Sequence, residues 1–322
     1  MAKRISIINF KGGVGKTTLA FHLATGLARY HDGKRVLLID IDHQSSLSIV
    51  CLGDVAKWQA AVRGDRTINR VFQHLTMPGS AMPGTEIVIK SPIPRNRYPT
   101  LDLVPAALQL DDTEIKLTAS QVGDAITSEW TKRTLLCQWL ESTGVDNEYD
   151  YIIVDCPPAT KIVTQNAIAL SHGYIVPVIP EAVMERGAPH LVDLIQDGID
   201  GMLQRYAQFL GTGATSVPGT YVPDTELIGL VVTRIKTARG YSGYSDNHTQ
   251  HLRVLQRRWD SDLVTPYIED GVGIGESLTM GLPVYDRERT SSGGLTQNVG
   301  KRGFGDQFRS LVDNLKARID AL

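Results

Sequence analysis

The chain has 322 residues, of which 42% are hydrophobic and 21% are charged, and its formal net charge is -2. This composition excludes wholesale disorder, and it excludes a polycation whose whole surface binds nucleic acid. The three cysteines, Cys51, Cys137 and Cys156, show neither metal-ligand spacing nor the even number of a disulfide framework, which favours a reducing cytoplasm.

Short apolar runs alternate with amphipathic stretches along the chain. The runs predict buried strands over residues 5–9, 36–40, 101–105, 151–155, 174–179, 227–232 and 263–266. Helical spacing of apolar residues predicts helices over residues 17–30, 131–142, 161–170 and 303–321. The alternation predicts an α/β fold with a doubly wound, mostly parallel sheet flanked by helices, and we expect residues 1–322 to form a single domain.

Two segments interrupt this alternation. Residues 76–100 contain five prolines, and residues 211–225 combine glycines with prolines. Both segments are too densely punctuated for regular elements, so we expect a proline-rich insertion in the first and a loop in the second. Strand-like runs continue on both sides of each segment, which argues against a linker between domains.

The stretch NFKGGVGKTT, residues 9–18, has the character of a phosphate-binding loop between a strand and a helix. In the usual pattern, G-x-x-x-x-G-K-[ST], a glycine stands where this chain has Phe10, and a second lysine, Lys11, follows it. Glycines let backbone amides approach anionic oxygens, a lysine at position 16 reaches the β- and γ-phosphates, and a threonine at 17 can bind Mg²⁺. The predicted nucleotide contacts in this loop are Lys11, Gly12, Gly13, Val14, Gly15, Lys16, Thr17 and Thr18.

Acidic residues follow two of the predicted strands. Asp40 and Asp42 close the run VLLIDID, and Asp155 closes YIIVD. Because ligands bind at the carboxyl ends of parallel strands, these carboxylates are candidates for a Mg²⁺ site. We predict Thr17, Asp42 and Asp155 as metal-binding residues, and Asp42 is also placed to orient an attacking water. Asp40 is either part of this site or structural.

These motifs resemble the ParA/MinD group of P-loop ATPases, which carry a deviant Walker A motif. The resemblance rests on KGGVGKTT, LLIDIDHQSSLS and YIIVDCPPAT, and residues 101–117, 175–195 and 264–286 are similar to ParA in particular. It implies a P-loop NTPase fold and a Mg²⁺-dependent ATPase that is slow without a partner. The chain departs from the group at His43, where such proteins usually have proline.

The resemblance also implies roles for single residues. In such ATPases two subunits sandwich two nucleotides, and Lys11 matches the signature lysine that contacts the phosphates bound to the other subunit. Lys11, Lys16 and Asp42 are therefore the predicted catalytic residues, with Asp42 positioning the hydrolytic water. Asp155 would lie in the switch that senses the γ-phosphate, and Arg234 is a further predicted nucleotide contact.

A basic segment, residues 233–259, could bind DNA. It contains six Lys or Arg residues and one acid, Asp246, so its net charge is +5. Members of the resembled group bind DNA without sequence preference as ATP-bound dimers, and such a segment would neutralise phosphates. Glu269 and Asp270, in a later loop that is often basic in chromosomal ParA proteins, argue against DNA contact there. The predicted DNA-binding residues are Arg234, Lys236, Arg239, Arg253, Arg257, Arg258, Lys301 and Arg302.

The resemblance leads to one expected function and one alternative. We expect a cytoplasmic, nucleoid-associated ATPase that drives plasmid or chromosome partition with a ParB-like partner. The alternative is a MinD-like or cargo-positioning switch that acts on a protein cargo or a membrane surface. The polar face of the C-terminal helix mixes acids with bases, so we expect it to close the fold and expect no membrane partner. The sequence argues against an iron–sulfur protein, because no second cysteine is suitably placed beside Cys156 to hold a cluster.

Overall fold

One sheet organises the computed structural model, which describes residues 1–93, 97–211, 217–238, 243–286 and 303–322. Its eight strands lie in the order β3-β4-β2-β5-β1-β6-β7-β8, and every pairing is parallel except that of β3 with β4. The strands are β1 Lys3–Ile7, β2 Val36–Asp40, β3 Ile89–Lys90, β4 Leu101–Val104, β5 Tyr151–Asp155, β6 Gly173–Val178, β7 Glu226–Val232 and β8 Leu263–Val264. The predicted mostly parallel sheet is confirmed.

Helices connect the strands. Those in the described residues are α1 Lys16–Tyr30, α2 Ser46–Leu52, α3 Val55–Arg63, α4 Asn69–Gln73, α5 Leu110–Ala119, α6 Ala125–Arg133, α7 Leu135–Thr143, α8 Ile162–Leu170, α9 Ala182–Asp193, α10 Gly201–Leu210, α11 Asp246–Trp259, α12 Val272–Thr279 and α13 Phe304–Ala321. A π-helix, Leu194–Asp200, joins α9 to α10. The predicted helix over 131–142 is two helices, because the backbone at Thr134 leaves helical geometry (φ -119°, ψ 16°).

Helices cover both faces of the sheet. Alternate residues of β2 point to opposite sides: Val36 and Leu38 pack in the core that contains α1 and α13, whereas Leu37 and Ile39 pack in the core that contains α7 and α8. All four residues are fully buried. Burial on both faces explains why the strands read as continuous apolar runs, and it confirms the doubly wound architecture.

The predicted insertion, residues 76–100, is mostly irregular. The expectation that it holds no regular element was wrong at residues 89–90, which form β3. Ile89 pairs with Leu103 at the sheet edge, and the Lys90 ammonium donates to Asp102 Oδ2 at 3.0 Å. These partners lie beyond the segment, so its own proline pattern could not reveal the strand.

The C-terminal helix, α13, packs on the helix that follows β1. The apolar stripe of α13 is buried against the core of α1, through Phe304, Phe308, Leu311, Leu315 and Ile319. None of the described helices is both long enough and apolar enough to cross a lipid bilayer. The stripe that could have contacted a membrane surface is therefore covered by the protein itself.

Candidate nucleotide-binding site and basic surface

The strand order brings the predicted site residues to one edge of the sheet. β5 lies between β2 and β1, with Asp40 and Ile7 as the register partners of Asp155. The loop of residues 8–15 leaves β1 beside these carboxylates and leads into α1. The carboxyl ends of neighbouring parallel strands thus bring loop and acids together, where open α/β sheets bind ligands.

Two glycines give the loop its shape. Gly13 (φ 73°) and Gly15 (φ 87°) adopt the left-handed conformation that other residues rarely tolerate. The segment after β7 holds the loop from outside, because Thr233 Oγ1 donates to the Val14 carbonyl at 2.7 Å and Arg234 Nη1 donates to the Gly13 carbonyl at 2.9 Å. The free amides and the N-terminus of α1 therefore have a defined arrangement for an anion.

Lys16 lies inside the loop. Its side chain is buried, and its ammonium donates to the carbonyl oxygens of Asn9 at 2.9 Å and Lys11 at 3.2 Å. Burial lowers the pKa of Lys16, while the negative charge of Asp155 acts in the opposite direction. Among the described residues this cation donates only to neutral oxygens, so a phosphate group would be a stronger partner.

Thr17 and Asp155 form the part of the site that fits Mg²⁺. Thr17 Oγ1 donates to Asp155 Oδ2 at 2.7 Å, and Asp155 Oδ1 is buried without a hydrogen-bond partner. Burial, together with the neighbouring Asp40 carboxylate, raises the pKa of Asp155 well above its ordinary value. A cation bound here would offset both effects, and a hydroxyl with a carboxylate is a donor set that Mg²⁺ accepts. Across the described ranges no group of three or more His, Cys, Asp or Glu residues could hold a metal ion by itself.

The two acids after β2 have different surroundings. Asp40 is fully buried; its Oδ2 accepts hydrogen bonds from the backbone N–H and the hydroxyl of Ser48, and its Oδ1 accepts one from the Asp42 N–H. Burial raises the pKa of Asp40 to about 7. Asp42 lines the cavity at the loop and accepts a 2.9 Å hydrogen bond from the Gln44 N–H. Asp40 thus organises the turn into α2, while Asp42 faces the space where a nucleotide would lie.

Lys11 occupies the outer side of the loop. Its ammonium lies 2.6 Å from Oε2 of Glu181, the residue that precedes α9, and both side chains are more than one third exposed. The backbone N–H of Lys11 donates to Asn9 Oδ1 at 2.9 Å. Lys11 is therefore accessible from solvent and does not enter its own cavity.

The cavity at the loop has a volume of about 980 Å³. Besides Gly12, Gly13, Gly15, Lys16, Thr17, Thr18 and Asp42, its wall contains Thr233, Arg234 and most of the segment 268–279. Sequence reasoning missed Thr233 and that segment as site residues. The available signal was that both follow predicted strands, β7 and β8, whose carboxyl ends reach the same sheet edge. Glu269 and Asp270 belong to this wall, so they face the cavity.

The predicted DNA-binding residues divide into three groups. Arg234 belongs to the nucleotide cavity, where its guanidinium contacts the Gly13 carbonyl and Asp270. The second group is exposed on α11 and the strand-end segment beside it, and we call it the basic face: Lys236, Arg253, Arg257 and Arg258. The third group, Arg239, Lys301 and Arg302, lies outside the described residues.

The basic face connects to the nucleotide site through α9. The Lys236 N–H donates to His248 Nδ1 at 3.0 Å, which ties this segment to α11. His251 of α11 contacts Glu185 of α9 at 2.6 Å, and Glu181 before α9 holds Lys11. Helix α9 therefore lies between Lys11 and the basic face.

Comparison with known proteins defines the class of this chain. A family model described as an AAA domain matches residues 2–205, more than half of the chain, so the chain belongs to that family. It is 27% identical over 284 residues to the chromosome partitioning protein ParA of Caulobacter vibrioides, covering 88% of this chain and 86% of the relative. It is 33% identical over 196 residues to the sporulation initiation inhibitor protein Soj of Bacillus subtilis, covering 61% and 66%. Within the family, this chain is a ParA-type ATPase with a deviant Walker A motif.

Solved structures share the fold. Apo McdA from Cyanothece superposes with a TM-score of 0.66 at 18% identity over 99% of this chain and all of that one. An ATP complex of an McdA variant gives a TM-score of 0.64 at 17% identity over 99% and 96%. Cobyrinic acid a,c-diamide synthase from Mycobacterium smegmatis, bound to ADP and magnesium, gives 0.58 at 21% identity over 87% and 91%. The P-loop NTPase fold predicted from the sequence is confirmed.

Proposed function

We propose that this chain is a ParA-like ATPase that binds ATP with Mg²⁺ at the loop of residues 8–15 and hydrolyses it slowly without a partner. The observation that carries the proposal is that Lys16, Thr17 and Asp42 line one cavity, with the buried Asp155 hydrogen-bonded to Thr17 behind its wall. They would contact the phosphates, hold Mg²⁺ and position water, respectively. The solved relatives that contain ATP, or ADP and magnesium, support this assignment.

In the proposal, ATP joins two copies of the chain into a sandwich dimer. Lys11 would leave Glu181 and contact the phosphates bound to the other copy. Exposed ion pairs contribute little to stability, so exchanging this one for a phosphate contact is favourable. Dimer formation would then be the step that nucleotide binding controls.

The dimer would bind DNA without sequence preference through the basic face. Three arginines on α11, Arg253, Arg257 and Arg258, point to solvent and form no ion pair among the described side chains. A dimer doubles the number of these cations, which favours phosphate binding in the ATP state. The protein would then act in the cytoplasm on the nucleoid in plasmid or chromosome partition, with a ParB-like partner that stimulates hydrolysis.

Filter binding with random-sequence duplex DNA tests this function. We expect retention that needs ATP and Mg²⁺, falls steeply with salt, and is lost in Lys16→Ala. Replacing all three arginines of α11 by alanine should lower the slope of log affinity against log salt by about 3 per subunit. Replacing Lys57 and Arg63, two exposed basic residues of α3, is the matched control and should leave retention unchanged.

The same assay identifies the alternative. An ATP-dependent dimer that retains no DNA at low salt would refute the DNA claim and favour a switch for a protein cargo. Retention that is independent of ATP would refute the coupling between the nucleotide site and the basic face.

A further inference from the structure

A second cavity opens at the opposite edge of the sheet from the nucleotide site. It has a volume of about 950 Å³ and lies at the amino ends of β7 and β8. Its wall includes Glu226 at the start of β7, Trp259 at the end of α11, and the π-helix that precedes α10. Nothing in the nucleotide cycle described above uses this cavity.

The cavity carries a concentrated negative charge. Five carboxylates and one arginine line it, namely Asp197, Asp200, Asp224, Glu226, Asp262 and Arg205. Among the described side chains no ion pair involves any of these five carboxylates. The amide of Gln204 donates to Asp200 Oδ2 at 3.0 Å and to Asp224 Oδ1 at 2.9 Å, so it holds two carboxylates close together without a cation. Two carboxylates that share one amide repel each other, and a positively charged ligand would relieve that repulsion.

Two buried polar atoms of wall residues form no hydrogen bond with the part of the chain that the structure describes. They are Oδ1 of Asp200, a residue that is 3% exposed, and Nε1 of Trp259. Burial raises the pKa of the Asp200 carboxyl, while the Gln204 amide and the nearby backbone N–H groups of Thr225 and Asp224 act in the opposite direction. Buried polar groups are normally satisfied, so this cavity has the character of a site that is completed by a ligand.

The backbone that presents these groups is itself unusual. Asp197 and Asp200 belong to the π-helix Leu194–Asp200, where the chain departs from the α-helical repeat between α9 and α10. π-helical turns are rare and occur frequently at functional sites. Asp197 and Asp200 both line the cavity from this π-helix.

We propose that this cavity binds an organic cation, with an ammonium or guanidinium group placed against the carboxylates of Asp200 and Asp224. An ammonium or guanidinium group carries several N–H donors, so it can donate to both carboxylates that the Gln204 amide holds together. Trp259 adds an aromatic surface of the kind that such cations contact. The cation has two possible sources, a free polyamine or a basic side chain of a polypeptide.

Titration of the full-length chain without nucleotide or DNA tests the proposal. The readout is the ¹⁵N indole signal of Trp259, assigned with Trp259→Phe, and the probes are spermidine and N-acetyl-arginine methylamide. We expect a saturable shift with at least one probe and an affinity about tenfold lower in Asp200→Asn. Asp112→Asn, the same change at an exposed carboxylate of α5, should leave the affinity unchanged. The probe that binds more tightly identifies the source.

Three results would overturn the proposal. They are the absence of a saturable shift with both probes, an unchanged affinity in Asp200→Asn, and an equal response to Mg²⁺ at matched ionic strength. If Asp200→Asn does not fold, Asp224→Asn replaces it, because Asp224 is the exposed second carboxylate of the proposed pair, and an unchanged affinity in that variant has the same meaning.

Discussion

The two lysines of the phosphate loop are held in opposite ways. Lys16 is buried, and its ammonium donates to two backbone carbonyls. None of the described acids accepts a hydrogen bond from it. Lys11 is partly exposed and pairs with Glu181, whose pKa is lowered chiefly by that hydrogen bond. A buried cation on neutral oxygens gains more from a phosphate than a solvated ion pair does. This contrast supports the proposed contact of Lys16 with the nucleotide and the proposed contact of Lys11 with a second subunit.

Asp42→Ala tests the residue proposed to position water. Asp42 lines the cavity, and its carboxylate accepts a 2.9 Å hydrogen bond from the Gln44 N–H. In the proposal it contacts the attacking water and not the nucleotide, so its loss should leave the ATP affinity within about twofold of the wild type. ATP turnover should fall about 100-fold, since a positioned carboxylate acts mainly in the transition state. Phosphate release and equilibrium binding of a fluorescent ATP analogue measure the two quantities. Turnover at the wild-type rate would refute the assignment.

Asp40→Ala provides the comparison at the neighbouring acid. Asp40 accepts hydrogen bonds from Ser48 and Asp42 in a fully buried position. We therefore expect Asp40→Ala to lower the free energy of unfolding by about 1–3 kcal/mol, because buried donors would lose their acceptor. Urea unfolding at pH 8, above the Asp40 pKa of about 7, measures it, and Asp112→Ala is the exposed control. Unchanged stability would contradict the structural role.

Helices α1 and α13 approach each other closely at Gly26. A Cβ atom added there would lie 2.8 Å from Val312 Cγ2 and 2.9 Å from Cγ1, and Val312 is buried and β-branched. The gain in helix propensity from Gly26→Ala, about 1 kcal/mol, is smaller than an overpacking cost of about 1–3 kcal/mol. We expect a net loss of about 1 kcal/mol in urea unfolding.

A double variant separates these two effects. In a Val312→Ala background the two Cγ contacts are removed and the Val312 Cβ contact at 3.2 Å is left, so Gly26→Ala should raise the free energy of unfolding by less than about 1 kcal/mol. The change of sign between backgrounds is the expected result. A Gly26→Ala effect of the same sign and size in both backgrounds would show that the two helices are not in contact there.

His22 links α1 to two later elements and makes stability depend on pH. Its Nδ1 donates to the Thr18 carbonyl at 2.7 Å, its Nε2 accepts from the Val284 N–H at 3.1 Å, and its ring stacks on Phe308. Since Nε2 accepts, the buried ring is neutral, and burial lowers its pKa from 6.5 to about 4. The unfolded chain binds a proton between these values and the folded chain does not. The free energy of unfolding therefore falls as the pH drops from about 6.5 to about 4.

The expected loss at this site is about 2 kcal/mol between pH 7 and pH 5. Burial also lowers the pKa of His172 to about 4, so the wild-type curve contains more than one such contribution. The test is consequently the difference between wild type and His22→Gln in urea unfolding at the two pH values. His22→Gln should be less stable at pH 7 but should lose about 2 kcal/mol less on acidification. Parallel curves would refute the assignment.

At the scale of the whole chain, local patterns predicted the sheet and the phosphate loop because both are encoded by neighbouring residues. The contacts that complete the site are not local. Thr233 reaches Val14 across 219 positions, and Glu181 reaches Lys11 across 170. The helix break at Thr134 and the edge strand β3 also depend on packing partners elsewhere. Sequence reasoning thus predicted the loop and the acids that the fold brings to one sheet edge, but not the wall residues that orient them.

The proposed ATP-dependent dimer concerns the molecule as a whole, and Lys11→Ala tests it. The Lys11 side chain lies outside its own cavity and its ion pair with Glu181 is partly exposed, so its loss should leave the fold and the ATP affinity nearly unchanged. The second subunit would lose a cation that its phosphates require, so we expect no ATP-dependent increase in sedimentation coefficient. Lys57→Ala, an exposed lysine on α3, should dimerise like the wild type. A Lys11→Ala chain that sediments as a dimer with ATP would show that nucleotide controls assembly through other residues, and the proposed coupling between site and partner copy would fail.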